Sequence, residues 1–227
     1  TAISTTAAVQ NIALNADAMT DIVAACGSGK VTMCLMGYHF DYNGNTASPT
    51  SGFHKCTVGF MEQTTSGNRP KITVNHDGGT FSVNAEDSGD DDDAQLSNIS
   101  FSGASWADIR GDETTTGTGR NDGFSTSFLG TYNRQFTGRG STITDCRRSY
   151  FVFDFSGSAA PTSGISMTFS TYLDYTGSTG GTYHADINKV ILVKATALEA
   201  SNADFGNCFV ADAVAVTHNA TFFGANF

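Results

Sequence analysis

Two stretches of alternating apolar and polar residues constrain this chain more than any other feature of its sequence. In the first stretch Phe151, Phe153 and Phe155 occupy every second position, and in the second stretch Met167 and Phe169 do the same. Successive side chains of a β-strand point to opposite faces, so each stretch predicts a strand with one apolar face. Two such strands, separated by a loop that contains Pro and Gly, are expected to cover a common hydrophobic core.

The remaining sequence has the composition of further strands joined by small polar turns. Charged residues form only 15% of the 227 residues, and there are 25 Gly; about 25% charged residues is usual. Short apolar or alternating runs recur between turn signals at intervals of about 8–12 residues. We therefore predict an all-β fold, an antiparallel β-sandwich of jelly-roll type, which leaves room for a second, smaller β region.

Local signals place individual elements within this fold. Asn15 has the character of a helix N-cap and Gly27 that of a helix stop, so one short helix is predicted near the N-terminus. Residues 71–75 and 80–84 alternate in the same way on either side of a Gly-rich turn, which predicts a β-hairpin.

Three further segments are predicted with less regular patterns. Val31 to Phe40 is an apolar run that predicts a strand, and Trp106 to Arg110 predicts a second, shorter one. Residues 197–205 are predicted to form a short helical connection.

Residues 111–122, rich in Thr and Gly, are the most linker-like segment of the chain. They separate a β-rich N-terminal half, residues 1–110, from a jelly-roll-like C-terminal half, residues 123–227. The segment is either a boundary between domains or a long loop in a single sandwich that both halves complete.

Charge and cysteine content narrow the range of partners. The 22 acidic and 12 basic residues give a net charge of −10, which argues against nucleic acid because binding to phosphates needs Lys and Arg. No apolar run reaches the length of about 18 residues that a membrane span requires, and the first residues lack the pattern of a signal peptide. The five cysteines are odd in number and form no C-x-x-C pair, which favours assembly in a reducing cytoplasm; the alternative is a chain with one or two disulfides.

Part of the C-terminal half has a recognisable pattern. An Asp-Gly-aromatic lead-in at residues 122–124 precedes a strand that opens with Arg148-Ser149 and ends with Phe153-Asp154-Phe155-Ser156, and an alternating strand follows from Ile165. Over residues 120–205 this pattern resembles the DNRLRE-type jelly-roll modules. The resemblance implies a β-sandwich similar to carbohydrate-binding modules, of a kind that occurs in bacterial surface proteins and in structural proteins of tailed phages.

Aromatic side chains in loops or at strand ends are the candidates for glycan binding, because β-sandwiches bind sugars by stacking exposed rings on them. The candidates are Trp106, Tyr132, Tyr172 and Tyr175. The alternative for each is ordinary packing in the core or at its rim.

An acidic loop is the most conspicuous polar feature of the sequence. Asp87, Asp90, Asp92 and Asp93, together with loop carbonyls, supply the type and number of oxygen ligands that Ca²⁺ prefers. The alternative is a run of carboxylates that is simply solvated. We predict no other cofactor.

The sequence predicts no enzymatic activity. Its five His are scattered, its four Glu lie in or beside turns, and no metalloprotease, nucleophile-elbow or complete phosphate-loop motif is present. Asp154 interrupts the aromatic strand on the face of Tyr150 and Val152, so it is expected to form an ion pair with Arg147 or Arg148.

These observations favour a non-enzymatic virion structural protein of a tailed phage, either a head decoration or cement protein or a fibre component. Such a protein would assemble in the host cytoplasm and contact copies of itself and other virion proteins. The alternative is a secreted or cell-surface module that binds carbohydrate or mediates adhesion, including the subunit of a surface filament.

Overall fold

The computed structural model describes residues 8–45, 52–61, 65–86, 93–111, 115–121, 128–138, 141–178, 190–196, 202–210, 217–218 and 222–226. Two α-helices are present in these ranges, α1 (Ala16–Ala25) and α2 (Trp106–Arg110), with a π-helical turn at Tyr38–Tyr42 and 3₁₀ turns at Ser66–Asn68 and Asn202–Gly206. The strands are β1 (Ala8–Ala13), β2 (Lys30–Gly37), β3 (Gly52–Gly59), β4 (Lys71–His76), β5 (Gly79–Asn84), β6 (Ala94–Ser100), β7 (Gly119–Asn121), β8 (Phe128–Gly138), β9 (Ser141–Asp154), β10 (Ser166–Ser178), β11 (Val190–Ala195), β12 (Phe209–Val210), β13 (Thr217–His218) and β14 (Phe222–Asn226).

The predicted all-β, antiparallel architecture is confirmed. Twelve strands pair along the path β14-β11-β2-β9-β8-β3-β10-β4-β5, with β1 beside β10 and with β6 beside β7 and β9. The short strands β12 and β13 form a separate antiparallel pair. The jelly-roll connectivity stays a prediction.

The two alternating stretches form the long strands β9 and β10. Each of these strands pairs with one neighbour over its first part and with a different neighbour over its second part, which bends the sheet. β9 pairs first with β8 and then with β2, whereas β10 pairs first with β4 and then with β3. An isolated bridge between Ala85 and Phe153 links the end of β5 to β9. The path of pairings from β9 through β8, β3, β10, β4 and β5 therefore returns to its start.

The first hydrophobic core lies between the two long strands, as their alternation predicts. Phe151, Phe153 and Phe155 are fully buried in it. The ring centroid of Phe151 lies 5.5 Å from that of Phe169 on β10 and 5.4 Å from that of Phe60. The aromatic strand thus packs its rings against the opposite layer of the sandwich.

A second hydrophobic core covers the other face of the central strands. It is closed by the π-helical turn, by α2 and by the 3₁₀ turn at 202–206. The central strands contribute side chains that alternate with those of the first core: Cys34 and Met36 on β2, Cys146, Tyr150 and Val152 on β9, and Ile191, Val193 and Ala195 on β11. Burial on both faces explains why β2 and β11 are apolar at nearly every position.

The predicted helix and hairpin are confirmed. α1 begins after Asn15, whose Oδ1 accepts a hydrogen bond of 2.9 Å from the Ala18 N–H, and the chain leaves the helix through Gly27 at φ 80°. β4 and β5 form the hairpin, with Ile72 opposite Val83.

Two predicted strands are wrong in part or in full. Trp106 to Arg110 is helix α2, because Ser105 and Asp108 form a reciprocal capping box at its start. The strand predicted over Val31 to Phe40 ends at Gly37, where the chain enters the π-helical turn. Of the connection predicted at 197–205, residues 197–201 lie outside the described ranges and the 3₁₀ turn covers the rest.

The Thr- and Gly-rich segment contributes a strand of its own. β7, at its C-terminal end, pairs with β6, and the Gly117 N–H donates a hydrogen bond of 2.7 Å to the Asn202 carbonyl. Strands that precede this segment in the sequence lie beside strands that follow it in the same sheet. For example, β2 and β6 precede the segment, and they flank β9, which follows it.

Candidate functional site

The Trp106 side chain does not have the exposure that glycan stacking needs. Its relative exposure is 3%, and its indole Nε1 donates a hydrogen bond of 3.3 Å to the Phe40 carbonyl. The ring meets Phe40 edge-on, with 6.3 Å between the centroids. The expectation of an exposed indole is wrong, because Trp106 begins a helix whose inner face closes the second core.

The three tyrosine candidates lie on strands β8 and β10. Tyr172 is half-buried on β10. Tyr132 on β8 and Tyr175 on β10 lie in described strands, but their side chains lie outside the described part of the structure. A role of these tyrosines in glycan binding stays a prediction.

The acidic loop falls mostly outside the described ranges, which omit residues 87–92. Asp93 is described and fully buried, and its Oδ2 accepts a hydrogen bond of 2.8 Å from the Met61 N–H. In the described part of the chain, no group of three or more His, Cys, Asp and Glu is arranged to hold a metal ion. Ca²⁺ at the acidic loop stays a prediction.

The ion pair predicted for Asp154 is wrong. The Asp154 Oδ1 accepts a hydrogen bond of 2.8 Å from the Ser156 N–H, and hydrogen bonds from Ser156 lower the pKa of this exposed carboxyl. Arg147 instead pairs with Asp145, with 2.8 Å between Nη2 and Oδ2. The strand ends at Asp154, so its side chain is free to form a local turn with solvent around it.

A buried polar cluster surrounds Arg148, which β9 directs into the second core. Arg148 and Asp41 of the π-helical turn are both 0% exposed. They form a bidentate ion pair, with 2.8 Å from Nε to Oδ2 and 2.7 Å from Nη2 to Oδ1. A planar guanidinium matches a carboxylate in this geometry better than any other cation does.

Two main-chain carbonyls complete the surroundings of the guanidinium. Arg148 Nη1 donates to the Phe205 carbonyl at 2.8 Å, and Nη2 donates to the Arg110 carbonyl at 2.7 Å. The guanidinium carbon also lies 4.1 Å above the centre of the Phe205 ring. One side chain thereby joins β9 to the π-helical turn, to the end of α2 and to the 3₁₀ turn.

Neighbouring residues reinforce the same three segments. The Tyr150 hydroxyl donates a hydrogen bond of 2.8 Å to the Phe205 carbonyl, which therefore accepts from two side chains of β9. Arg110 Nε donates to the Asp41 carbonyl at 2.5 Å. Burial is the largest single influence on the pKa of Arg148 and would lower it, but the charge and hydrogen bond of Asp41 together with the neighbouring Cys208 and Cys146 raise that pKa overall, so the guanidinium stays cationic.

Three fully buried cysteines, Cys34, Cys146 and Cys208, lie in the same core and are free thiols. The Cys146 thiol is hydrogen-bonded to Asp41, and the Cys34 thiol to Cys208. Burial, followed by the negative charge of Asp41, raises the pKa of Cys146 well above its usual value of 9.0. Burial likewise raises the pKa of Cys34, so Cys34 and Cys146 are protonated thiols that act as small apolar groups and weak donors. Burial would also raise the pKa of Cys208, but hydrogen bonds to Cys34 and Tyr150 and the charge of Arg148 lower it overall.

We name this set, Asp41, Arg110, Arg148, Tyr150 and Phe205, the arginine clasp. Its hydrogen bonds run between parts of the same chain, and its central ion pair has no exposed surface. The arginine clasp therefore has a structural role: it fixes the π-helical turn, the end of α2 and the 3₁₀ turn at 202–206 in position on the sheet.

Sequence reasoning missed the clasp, although a signal for it was present. Arg148 occupies the period-2 face of Cys146, Tyr150 and Val152, so a charge had to enter an apolar layer and find a partner there. The partner, Asp41, lies more than 100 positions away, with |i−j| = 107. Spacing along the chain gave no means of choosing it among the 22 acidic residues.

Within the described ranges, no helix combines the length and apolar character needed to cross a membrane. Comparison with other proteins adds no relative to this description. No protein-family model matches the sequence, and neither a curated protein nor a solved structure matches it significantly.

Proposed function

We propose that this chain is a non-enzymatic structural protein that works as an assembly subunit, in the form of a head decoration or fibre component of a tailed-phage virion. Its partners would be copies of itself and other virion proteins. It acts by holding a fixed β-sandwich surface against them.

The arginine clasp is the observation that carries this proposal. A buried ion pair whose donors meet carboxylate and carbonyl oxygens of the same chain binds no outside ligand, but it fixes the geometry of the segments that it joins. Three connecting segments are fastened in this way to a sheet that already has an apolar core on its other face. A surface held this rigidly suits repeated, identical contacts between subunits.

The resemblance of residues 120–205 to DNRLRE-type modules supports the virion setting. It includes β9 and β10, the two strands that shape the sheet. Arg148, which belongs to the resembling pattern, is also the centre of the clasp.

The direct test is to locate the chain in purified particles of the phage that encodes it. Mass spectrometry of gradient-purified virions should detect the chain in many copies per particle, and labelled antibodies should decorate heads or fibres in electron micrographs. Particles that lack the chain, together with specific retention of the chain by glycans on an array, would favour the carbohydrate-binding alternative instead.

A further inference from the structure

Cys34 and Cys208 lie against each other in the second core, although they are far apart in the sequence. Both side chains are fully buried free thiols. The two thiols are hydrogen-bonded to each other. The ion pair and the carbonyl contacts of the arginine clasp are complete without this bond, so the pair of thiols is a separate feature of the same core.

The sheet fixes the position of Cys34. This residue lies on β2, opposite Tyr150 of β9 on one side and opposite Val193 of β11 on the other. Residues that are directly opposite in paired strands share a face of the sheet. All three side chains are buried in the second core. Cys34 is therefore the middle residue of a row of three that faces this core.

Two hydrogen bonds hold the chain that leads to Cys208 above the same row. On the β9 side, the Phe205 carbonyl accepts a hydrogen bond of 2.8 Å from the Tyr150 hydroxyl. On the β11 side, the Asn207 carbonyl accepts a hydrogen bond of 3.0 Å from the N–H of Thr196, the residue that follows β11. Since β2 lies between β9 and β11, the chain passes over β2 between these two anchors. This path places Cys208 above the middle of the row.

The third thiol of this core, Cys146, is out of reach of Cys34. Cys34 is opposite Tyr150 in the sheet. Cys146 precedes Tyr150 by four positions on β9, which is about 13 Å along a strand. The Cα atoms of a disulfide are usually no more than about 6.8 Å apart. Of the three buried thiols, only Cys208 is therefore within bonding reach of Cys34.

We propose that Cys34 and Cys208 are a site of covalent modification, at which oxidation by a small organic disulfide forms an intrachain disulfide. The cross-link joins β2 to the chain just after the 3₁₀ turn at 202–206 and locks that turn onto the sheet. The chemistry belongs to this chain alone, and the proposed virion function supplies its setting. Thiols stay reduced in a cytoplasm and are oxidised in the surroundings that a released particle meets.

Cys208 is the thiol that reacts first. Burial opposes its ionisation, but the hydrogen bond to Cys34 and the charge of Arg148 lower its pKa overall. The Cys208 thiolate attacks one sulfur of the small disulfide RSSR, forms a mixed disulfide and releases RS⁻. Cys34 then loses its proton, its sulfur attacks the Cys208 sulfur, and the second RS⁻ leaves. The two protein thiols are oxidised by two electrons in total, and RSSR is reduced to two RSH.

Peptide mapping identifies the cross-link directly, because Lys and Arg residues place each of the five cysteines in a different tryptic peptide. The native chain is incubated with oxidised glutathione, alkylated with iodoacetamide and digested. Residues 31–55 and 195–227 should be recovered as one linked peptide, two hydrogens lighter than the sum of the separate peptides. Dithiothreitol should separate the two peptides again.

A refolding experiment removes the effect of burial on the rate. The chain is unfolded in urea and refolded in a mixture of oxidised and reduced glutathione, so that the reagent reaches every thiol and the fold selects the pair. The same linked peptide should predominate. Its formation here supports the proposal even where the native chain reacts slowly. Refolded chain in which Cys34 and Cys208 are both alkylated, are held only as mixed disulfides or are joined to other cysteines overturns the proposal.

Single substitutions supply the controls. Cys34→Ala and Cys208→Ala should each abolish the linked peptide. Cys146→Ala is the matched control, because it removes an equally buried thiol from the same core and should leave the linked peptide unchanged. Circular dichroism shows whether each variant has folded. Loss of the linked peptide from a folded Cys146→Ala chain would overturn direct pairing of Cys34 with Cys208.

Thermal unfolding measures the locking of the turn. The cross-linked chain should unfold at a temperature at least about 4 °C above that of the reduced chain, because the cross-link closes a long loop. Cys208→Ala in the same oxidising buffer should show no such rise. An unchanged midpoint in a chain that carries the cross-link would overturn the locking. Failure of any of these tests leaves the proposed function to the virion test, which does not depend on the cross-link.

Discussion

At the scale of single residues, the Arg148–Asp41 ion pair gives the sharpest expectation for stability. Asp41→Leu or Arg148→Met alone should lower the free energy of unfolding by about 3–5 kcal/mol, because each leaves one buried charge without its partner. The change should appear in urea denaturation as a lower midpoint with an unchanged slope. Glu86→Gln is the control, since its ion pair with Lys30 is partly exposed and should be worth less than about 1 kcal/mol.

The double variant tests whether the two residues act as a unit. If they do, Asp41→Leu combined with Arg148→Met should cost less than the sum of the single changes by at least about 1 kcal/mol. Additive losses would show that each residue stabilises the fold separately, which would contradict the clasp.

The buried thiol of Cys146 predicts a loss of stability in alkali. Its pKa is raised in the folded chain by burial and by Asp41, so the folded protein retains a proton that the unfolded chain releases above the usual value of 9.0. The stability is therefore fully present below that pH and falls as pH rises, by about 1.4 kcal/mol per pH unit for one group.

Comparison with Cys146→Ala isolates this effect. The variant should be less stable at neutral pH because it leaves a small cavity, but its stability should decline less steeply above pH 9.0. Equal slopes for the two proteins would show that the thiol ionises as easily in the folded chain as in the unfolded one.

The residue scale is also where prediction from sequence was least complete. The requirement for a partner was recognised for Asp154, which ends its strand and bonds to Ser156. The same requirement applied more strongly to Arg148, in the middle of an apolar face. Only the three-dimensional arrangement shows which of the two charges is buried.

At the scale of elements, α2 offers an optical test because it begins with Trp106, the single Trp of the chain. Ser105→Ala removes the capping box and should cost about 0.5–2 kcal/mol. The emission of Trp106 should shift to longer wavelength and become easier to quench with acrylamide. Ser102→Ala, a change in the exposed loop that precedes the helix, should leave the emission unchanged; an equal shift in both variants would contradict the capping role.

The elements differ in how readily the sequence predicts them. α1 and the β4–β5 hairpin have strong local signals, an N-cap with a Gly stop and a Gly-rich two-residue turn, and both are confirmed. α2 is five residues long and shows less than two turns of periodicity, so the sequence pattern around Trp106 and Ile109 predicts a strand although the structure has a helix there. The capping box at Ser105 and Asp108 was the signal that would have identified it.

At the scale of the whole molecule, the all-β class follows from composition, alternation and turn spacing. The continuous apolar character of β2 and β11 predicts burial but does not say on how many faces. The second core and the change of pairing partner along β9 and β10 depend on contacts between segments that are far apart in the sequence. Periodicity within a single sequence predicts local elements but does not show which distant segments pair.

The proposed function, that of a structural subunit that assembles with copies of itself, requires the molecule to associate in solution. The most direct test is sedimentation velocity of the wild-type chain over a wide range of concentration, since mass action makes association depend on concentration. We predict a multimer of defined size that dissociates on dilution. A monomer at every concentration that binds a glycan would contradict the claim.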